Sequence, residues 1–187
     1  LFSYGMEHDH NFSLLTAGYM GDGYRTKLWE YEYNDVIGYP NEPVKIRFLE
    51  ETILSKGKAL YYRPSKDIHC QYAPREEDSL AINIILKSSM QFDNRQYEFN
   101  IKKGTIKKIM YGTAAPKFSL LKMASYLNNS NTIGLLHDIS LKHEIPQIRK
   151  DCLDTLYKIE KSKKVWEIGV VDKDYSVSNY SKLRLRE

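Results

Sequence analysis

Short segments of β type, separated by turn residues, recur along the first half of the chain, and their spacing is the feature that most restricts the fold. Each segment alternates apolar and polar positions or is rich in aromatic and β-branched residues, which is typical of a half-buried strand. Gly, Pro, Asn and Ser stand between the segments and favour turns. Evenly spaced short strands with little helix between them predict a sandwich or a barrel. The predicted strands are 12–20, 24–33, 44–54, 59–62, 68–72 and 80–86.

Two turn sequences predict hairpins within this β-rich part. Residues 21–23 are Gly-Asp-Gly, which is typical of a tight turn between antiparallel strands, so we expect the first two strands to pair. A second hairpin is predicted over 91–110, with Lys103 and Gly104 at its tip. Its apolar face is expected to consist of Tyr97, Phe99 and Ile101.

After Pro116 the spacing of apolar residues changes from two to about 3.6, which predicts helices. Three are expected, over 118–127, 132–142 and 148–159. The last two, with the proline turn between them, resemble a single HEAT-type helical repeat. In the tail, 166–171 is a possible short strand and the rest is unassigned.

The sequence therefore predicts three regions. Residues 1–115 form a mainly β domain, 116–164 an α-helical, HEAT-like appendage, and 165–187 a tail without an assignment. A length of 187 residues suits one compact domain with a smaller appendage, since domains usually run to ~100–150 residues. Because the sequence opens on Leu1 and not on Met, we expect a preceding segment of unknown content.

The composition argues against a disordered, a fibrous or a membrane-spanning protein. Hydrophobic residues make up 42% and charged residues 28%, as in an ordinary soluble globular protein, and the 15 tyrosines favour a β-rich domain with a lined cavity. No apolar run approaches the ~20 residues of a membrane span, and no signal peptide is visible, so we expect a cytoplasmic protein with no membrane partner.

The cysteines bear on disulfide bonding, and the lysines bear on nucleic-acid binding. Cys70 and Cys152 are too few for a disulfide scaffold and are expected to be free thiols. The net charge of +4 comes largely from lysine runs, which no nucleic-acid motif accompanies. We therefore expect no nucleic-acid partner.

The triplet His8-Asp9-His10 carries the strongest functional signal. Side chains two apart on a strand share a face, so His8 and His10 can direct two imidazole nitrogens at one point. Two imidazoles on one strand are a partial metal site, which needs a ligand from another element.

A second motif supplies that ligand. Pro64 stands five residues before His69, downstream of a glycine-punctuated turn. Together with the His-x-His triplet, this pattern resembles the cupin superfamily, whose second motif is Pro-x-Gly-x-x-His on a facing strand, and Lys66 stands where the family prefers glycine. The resemblance covers about residues 5–86. It implies a cupin-type double-stranded β-helix, or jelly-roll barrel, with metal held by His8, His10 and His69.

The chain departs from the family at its usual glutamate ligand. The positions four and five residues after His10 are both leucine. If the first two strands form a hairpin, Glu30 and Glu32 lie roughly 10 Å or more along the sheet from His10. The same register brings Asp35 opposite His10, as a fourth ligand or as a partner that orients an imidazole. A three-histidine site like that of cysteine dioxygenase-like cupins is therefore favoured over a site with three histidines and a glutamate.

A structural interpretation of the histidines stays open beside the metal site. In it, His8 and His10 are exposed near the N-terminus and His69 is a hydrogen-bonded strand residue. His137 and His143 are expected on the surface or at a helix end, because a spacing of six does not place them on one helical face.

The resemblance implies a non-haem Fe(II) oxygenase acting on an amino acid or another small polar substrate, with O2 as co-substrate. Imidazole ligands also suit Zn, Ni, Cu and, less strongly, Mn. The candidate catalytic residues are Tyr62 and Tyr72, one of which donates a hydrogen bond to bound oxygen, and Arg63 is the candidate for fixing a substrate carboxylate. Other tyrosines expected to line the cavity are Tyr19, Tyr31 and Tyr61.

Two other functions remain compatible with the same residues. The first is a metal-dependent isomerase or lyase without redox chemistry. The second is a ligand-sensing or scaffold protein, in which the helical segment binds a protein partner or a second copy of the chain.

Overall fold

A computed structural model describes residues 4–74, 78–86, 94–110, 115–127 and 129–186. The chain divides into two compact units, Leu1–Gly112 and Thr113–Glu187. The first unit contains all the described strands and the second contains the described α-helices. The mainly β class with a helical C-terminal region is thereby confirmed.

The part of the first unit that the structure describes contains eight strands, which coincide closely with the predicted β segments. A short 3-10 helix at Tyr33–Asp35 follows the second strand, which ends earlier than predicted. The strands are β1 Ser13–Met20, β2 Arg25–Glu30, β3 Arg47–Ile53, β4 Ala59–Tyr62, β5 Asp67–Tyr72, β6 Leu80–Leu86, β7 Gln96–Asn100 and β8 Thr105–Met110.

These strands form small antiparallel sheets. The orders are β4-β1-β6, β3-β2-β5 and the pair β7-β8. The described strands close no barrel, so the expected jelly-roll barrel is not confirmed.

The hairpin predicted between the first two strands is wrong. β1 pairs with β4 and β6, whereas β2 pairs with β3 and β5, so residues 21–23 carry the chain from one sheet to the other. Gly23 has a φ of +79°, and a Cβ there would collide with the carbonyl oxygen of Leu54 at the end of β3. The glycine thus serves a close approach between segments, which favours the same residue type as a hairpin turn.

The β3-β2-β5 sheet has an apolar cluster on each face. Because side chains alternate along a strand, Trp29 and Ile68 join one cluster while Leu28 joins the other. The cluster containing Leu28 includes residues of the β4-β1-β6 sheet, so the two sheets pack through it. Its buried members are Leu14, Tyr24, Leu28, Leu54, Leu60 and Tyr62.

The N-terminal segment 5–10 lies between β5 and β7 and joins them. On one side His8 and His69 exchange backbone hydrogen bonds of 3.1 and 2.9 Å, so these residues face each other across the ladder. On the other side Asp9 N–H donates to Tyr97 at 3.2 Å, and Phe99 N–H donates to Glu7 at 2.8 Å. Backbone groups on both edges of segment 5–10 therefore have hydrogen-bond partners. The periodicity of the sequence had assigned no strand to this segment.

The second hairpin is confirmed within the described residues. β7 pairs with β8, and Tyr97, Phe99 and Ile106 are buried together. The register shifts beyond Glu98, because Lys107 and Lys108 of β8 together face this single residue. This arrangement is a β-bulge.

The second unit confirms the three predicted helices and adds two more. The predicted strand at 166–171 is wrong, because Trp166 lies in a helix whose spacing buries Val165 and Gly169 as well. A short apolar run does not by itself distinguish strand from helix. The helices are α1 Ala115–Leu127, α2 Ser130–Lys142, α3 Pro146–Glu160, α4 Lys164–Val170 and α5 Tyr175–Arg186. Among the described helices, none has the length and apolar character that crossing a membrane would require.

A buried ion pair connects α3 to the turn that follows α4. Arg149 of α3 donates from Nε and Nη2 to the two carboxylate oxygens of Asp172, at 2.7 and 2.8 Å. Its Nη1 donates to the carbonyls of His143 and Glu144. Since both charged side chains are more than 90% buried, each depends on the other for its charge to be compensated.

We expect Asp172→Ala to lower the free energy of unfolding of the helical unit by about 3–5 kcal/mol, because it leaves the Arg149 guanidinium buried without its counter-charge. The matched control is Asp138→Ala, which removes an exposed pair with Lys142 and is expected to cost less than about 1 kcal/mol. Urea unfolding followed by helical circular dichroism measures both. Equal effects of the two substitutions would contradict the role given to the buried pair.

Candidate metal centre

The three histidines predicted to bind metal converge in the structure. His8 and His69 face each other across the ladder, and His10 follows on the same side of the N-terminal segment. The ring centroids are 5.0 Å apart for His8 and His10, 4.3 Å for His8 and His69, and 4.9 Å for His10 and His69. Each residue offers one ring nitrogen that lies within 4.8 Å of the other two. We call these residues the histidine triad.

This spacing fits a metal ion after a small contraction. With metal–nitrogen bonds of ~2.0–2.1 Å, tetrahedral geometry requires nitrogens roughly 3.4 Å apart. Rotating the imidazoles, or moving them by about an ångström, brings a set spaced up to 4.8 Å to that value. The residues present are therefore suited to holding a metal.

Hydrogen bonds at the rings indicate which nitrogens can bind. Nδ1 of His8 lies 3.0 Å from the carbonyl oxygen of Met6, which only accepts, so the proton is on Nδ1 and Nε2 is available. Nδ1 of His10 lies 3.1 Å from Nε2 of Gln96. The same nitrogen also donates to the carbonyl oxygen of Asp9 at 3.3 Å, so it is the amide NH2; Nδ1 of His10 accepts from it, and the proton of the neutral His10 ring is on Nε2. Gln96 thus sets the tautomer of His10.

His69 is the most enclosed member of the triad. Its Nδ1 is buried and makes no hydrogen bond in the described part of the chain. A buried polar atom without a partner is costly, and a bound metal ion removes that cost when it takes the nitrogen as a ligand. The ring of Tyr62, from the facing sheet, lies 4.6 Å from the His69 ring. On the other side of the triad, Phe12 stacks on His10 at 4.5 Å.

Burial keeps all three imidazoles neutral. Desolvation lowers the pKa of His8, and it lowers that of His10 to about 3, with repulsion from His8 as the smaller cause. Desolvation, followed by repulsion from His8 and His10, lowers the pKa of His69 well below its usual value. The neutral ring is the form that binds metals.

A buried carboxylate behind the triad holds the N-terminal segment in register. Asp9 points to the opposite face from its histidine neighbours, where it accepts hydrogen bonds from the Tyr31 hydroxyl at 2.6 Å and the Tyr97 N–H at 2.7 Å. Burial raises the pKa of Asp9 to about 7, and the bonds from Tyr31 and Tyr97 oppose that rise. Sequence reasoning missed this role, because Asp9 was considered only as the spacer between two histidines.

Arg63, the candidate for fixing a substrate carboxylate, contacts side chains on the face of the β3-β2-β5 sheet that also carries His69. Its guanidinium donates to Asp67 and, at 2.8 Å, to Glu30, and these ion pairs raise the pKa of Arg63. Asp67 and Glu30 are cross-strand neighbours. The Arg63 guanidinium is thus already paired with two carboxylates.

The structure brings only one of the candidate tyrosines to the triad. Tyr62 contacts His69, whereas Tyr72 stands on the opposite face of β5, where it stacks with Arg25 at 4.3 Å. The period of two along β5 accounts for this separation, since Tyr72 is three residues from His69. Of the other candidates, Tyr31 binds Asp9 in the core, and Tyr19 and Tyr61 are more than half exposed.

The acidic candidates for a fourth ligand lie elsewhere. Without the predicted hairpin, the register that placed Asp35 opposite His10 does not exist, and Asp35 ends the 3-10 helix. Glu30 pairs with Arg47 and Arg63, and Glu32 pairs with Lys66. Within the described residues, the group that could hold a metal contains histidines alone.

The remaining histidines match their structural interpretation. His137 is a partly exposed residue whose Nε2 lies 2.8 Å from a carboxylate oxygen of Glu160. Nδ1 of His143 accepts the N–H of Ile145 just beyond the end of α2. Both therefore have roles in the helical unit by itself.

We expect Tyr31→Phe to lower the free energy of unfolding by about 1–3 kcal/mol, because the buried Asp9 carboxylate loses a hydrogen-bond donor. Tyr61→Phe is the matched control: its hydroxyl donates to Ser13 at 3.1 Å on the exposed face, and its loss is expected to cost less than about 0.5 kcal/mol. Urea unfolding with near-ultraviolet circular dichroism compares them. A Tyr31→Phe variant as stable as the control would refute the anchoring role of Asp9.

No model of a known protein family matches the chain. No curated protein and no solved structure matches it either.

Proposed function

We propose that the first unit is a metal-dependent enzyme of the cupin kind, and that it is a non-haem Fe(II) oxygenase acting on an amino acid or another small polar molecule. The observation that carries the proposal is the convergence of three neutral imidazoles on one point between two packed sheets. Within the described residues the buried Nδ1 of His69 has no hydrogen-bond partner, which costs stability, so the convergence of the three rings favours a ligand that they share.

The cupin kind is supported by where the ligands come from. Two histidines lie on one extended segment and the third on the neighbouring antiparallel strand, while the facing sheet contributes Tyr62. This agrees with the order and spacing of the two motifs in the sequence. The open sheets differ from the closed barrel of that family, so the proposal rests on the site and not on barrel closure.

The choice of iron follows from the resemblance of the two histidine motifs to cupins, and a site with three protein ligands has room for reactants. Three protein ligands leave coordination positions open, and Fe(II) held in this way supplies the chemistry that activates O2. Zn, Ni, Mn and Cu are the other metals that the imidazoles suit. A non-redox isomerase or lyase on the same triad is the second candidate, which an oxygen-uptake measurement distinguishes.

Tyr62 is the residue best placed to act on a substrate beside the triad. Its buried hydroxyl has no partner with hydrogen-bond geometry among the described residues, although the side chains of Gln71 and Thr26 lie close enough to lower its pKa. Burial raises the pKa of Tyr62 to about 12, so the hydroxyl keeps its proton at neutral pH. We assign to it the donation of a hydrogen bond to the bound substrate or co-substrate. Arg63 retains the role of a carboxylate clamp only if a substrate displaces Glu30 or Asp67.

Replacing any member of the triad with alanine should abolish metal binding. We expect the purified protein to take up about one equivalent of Fe(II) or Co(II), and we expect His8→Ala, His10→Ala and His69→Ala each to lose it. Added metal should also raise the midpoint of thermal unfolding, since at 100 times Kd a ligand stabilises the folded state by about 2.7 kcal/mol. Elemental analysis and calorimetry measure these effects.

The control for this experiment is His137→Ala, which removes an imidazole from the helical unit and should retain full metal binding. Metal retained at wild-type stoichiometry in all three triad variants would overturn the metal site.

We expect Tyr62→Phe to retain metal but to lower oxygen uptake at least tenfold, as loss of a hydrogen bond to a charged group typically does. Anaerobic Fe(II) loading followed by an oxygen electrode, with a panel of amino acids and thiols, gives the measurement. Tyr61→Phe alters the adjacent, outward-facing residue of β4 and should leave uptake unchanged. Full metal binding without oxygen uptake for any substrate would overturn the oxygenase in favour of the isomerase or lyase.

A further inference from the structure

A row of side chains leads from the histidine triad to a pair of lysines. His8 is bridged to His69 on one side and to Glu98 on the other. Residues directly paired in an antiparallel ladder project from the same face, so Glu98 stands beside His8 on the face of the triad. The opposite face at this point is occupied by Tyr97 and Phe99, which belong to the apolar core.

The β-bulge doubles the positive charge at the end of this row. Because the register shifts at Glu98, both Lys107 and Lys108 face it. Nζ of Lys108 lies 2.8 Å from one carboxylate oxygen of Glu98, and Nζ of Lys107 contacts the other. A regular ladder would direct successive lysines to opposite faces. The bulge therefore brings together two ammonium groups that a regular strand would separate.

Exposure distinguishes the lysines from the carboxylate between them. The Glu98 side chain is 4% exposed, whereas those of Lys107 and Lys108 are 59% and 60% exposed. One carboxylate compensates one of the two charges, and Glu7, which projects from the other face of its segment, acts on Lys107 only as a weaker attraction. The ammonium groups thus lie at the solvent edge with capacity for another anion.

The distances suit a small molecule. Neighbouring strands are ~4.8 Å apart, so the backbone of β8 lies roughly 10 Å from that of His8, and lysine side chains cover part of that gap. Arg63, the cation expected from the sequence, is already held by Glu30 and Asp67.

From this geometry we propose that Lys107 and Lys108 form the subsite that recognises the anionic group, carboxylate or phosphate, of the small molecule acted on at the histidine triad. The inference rests on the proposed function for the triad and names the charge class of its substrate. Two ammonium groups provide six N–H donors, of which Glu98 uses a part. An anion held there lies on the same face as the three imidazoles, so its remaining atoms can extend toward them.

The test measures anion binding with and without metal. Acetate, glycine and inorganic phosphate are titrated by calorimetry into the whole protein, metal-free and loaded with Co(II). We expect Lys107→Gln/Lys108→Gln to weaken binding of at least one of these anions about tenfold or more, and Lys107→Arg/Lys108→Arg to restore it. The acetate and phosphate arms tell which anionic group is preferred.

The matched control is Lys102→Gln/Lys103→Gln, which removes the same charge from the turn of the same hairpin. If the first double variant is unstable because Glu98 is left uncompensated, the triple variant Glu98→Gln/Lys107→Gln/Lys108→Gln replaces it. Anion affinities equal in the wild type, the test variant and the control would overturn the subsite, as would no anion binding by the wild type. If the wild type binds no metal, the proposed function is overturned separately, because the effect of the lysine substitutions on anion binding is also measured in the metal-free protein.

Discussion

The first unit depends on the insertion of one short extended segment between two strands distant from it in the sequence. Backbone hydrogen bonds connect residues 5–10 to β5 on one side and to β7 on the other. Asp9 secures the segment from behind through Tyr31 and Tyr97. This placement fixes the alternation of side chains, so that the acid faces the core while both of its histidine neighbours face His69. Shifting the segment by one residue would exchange those faces and remove the site.

The same insertion explains the electrostatics of the centre. The imidazoles lose their hydration between the two sheets, and desolvation is the largest cause of the lowered pKa of each. On the reverse face Asp9 is completely buried and has two hydrogen-bond donors, which partly oppose the rise in its pKa. One segment thus presents neutral ligands to one side and a structural carboxylate to the other.

Local patterns located most of the elements but not their pairing, and they missed the two helices after residue 163. The alternation of apolar residues located the strands, and the period of 3.6 located α1 to α3, because both are properties of neighbouring residues. Gly23 shows the limit: it indicates a tight or crowded turn, but not whether the strands beside it share a sheet. The triad was predictable from its His-x-His spacing and a distant motif. Gln96, Glu98 and the lysines opposite were not, because their relation to His8 arises from a pairing 90 residues apart in sequence.

That long separation has a consequence for the nascent chain. His8 leaves the ribosome well before Glu98 is added, and at translation rates of about 5–20 residues per second the delay is on the order of ten seconds. During this interval the first two imidazoles are solvated, ordinary bases without a fixed partner. The pairing of residues 5–10 with β7 consequently forms only after nearly all of the first unit has been synthesised, although all three histidines of the centre are in the chain once His69 has been added.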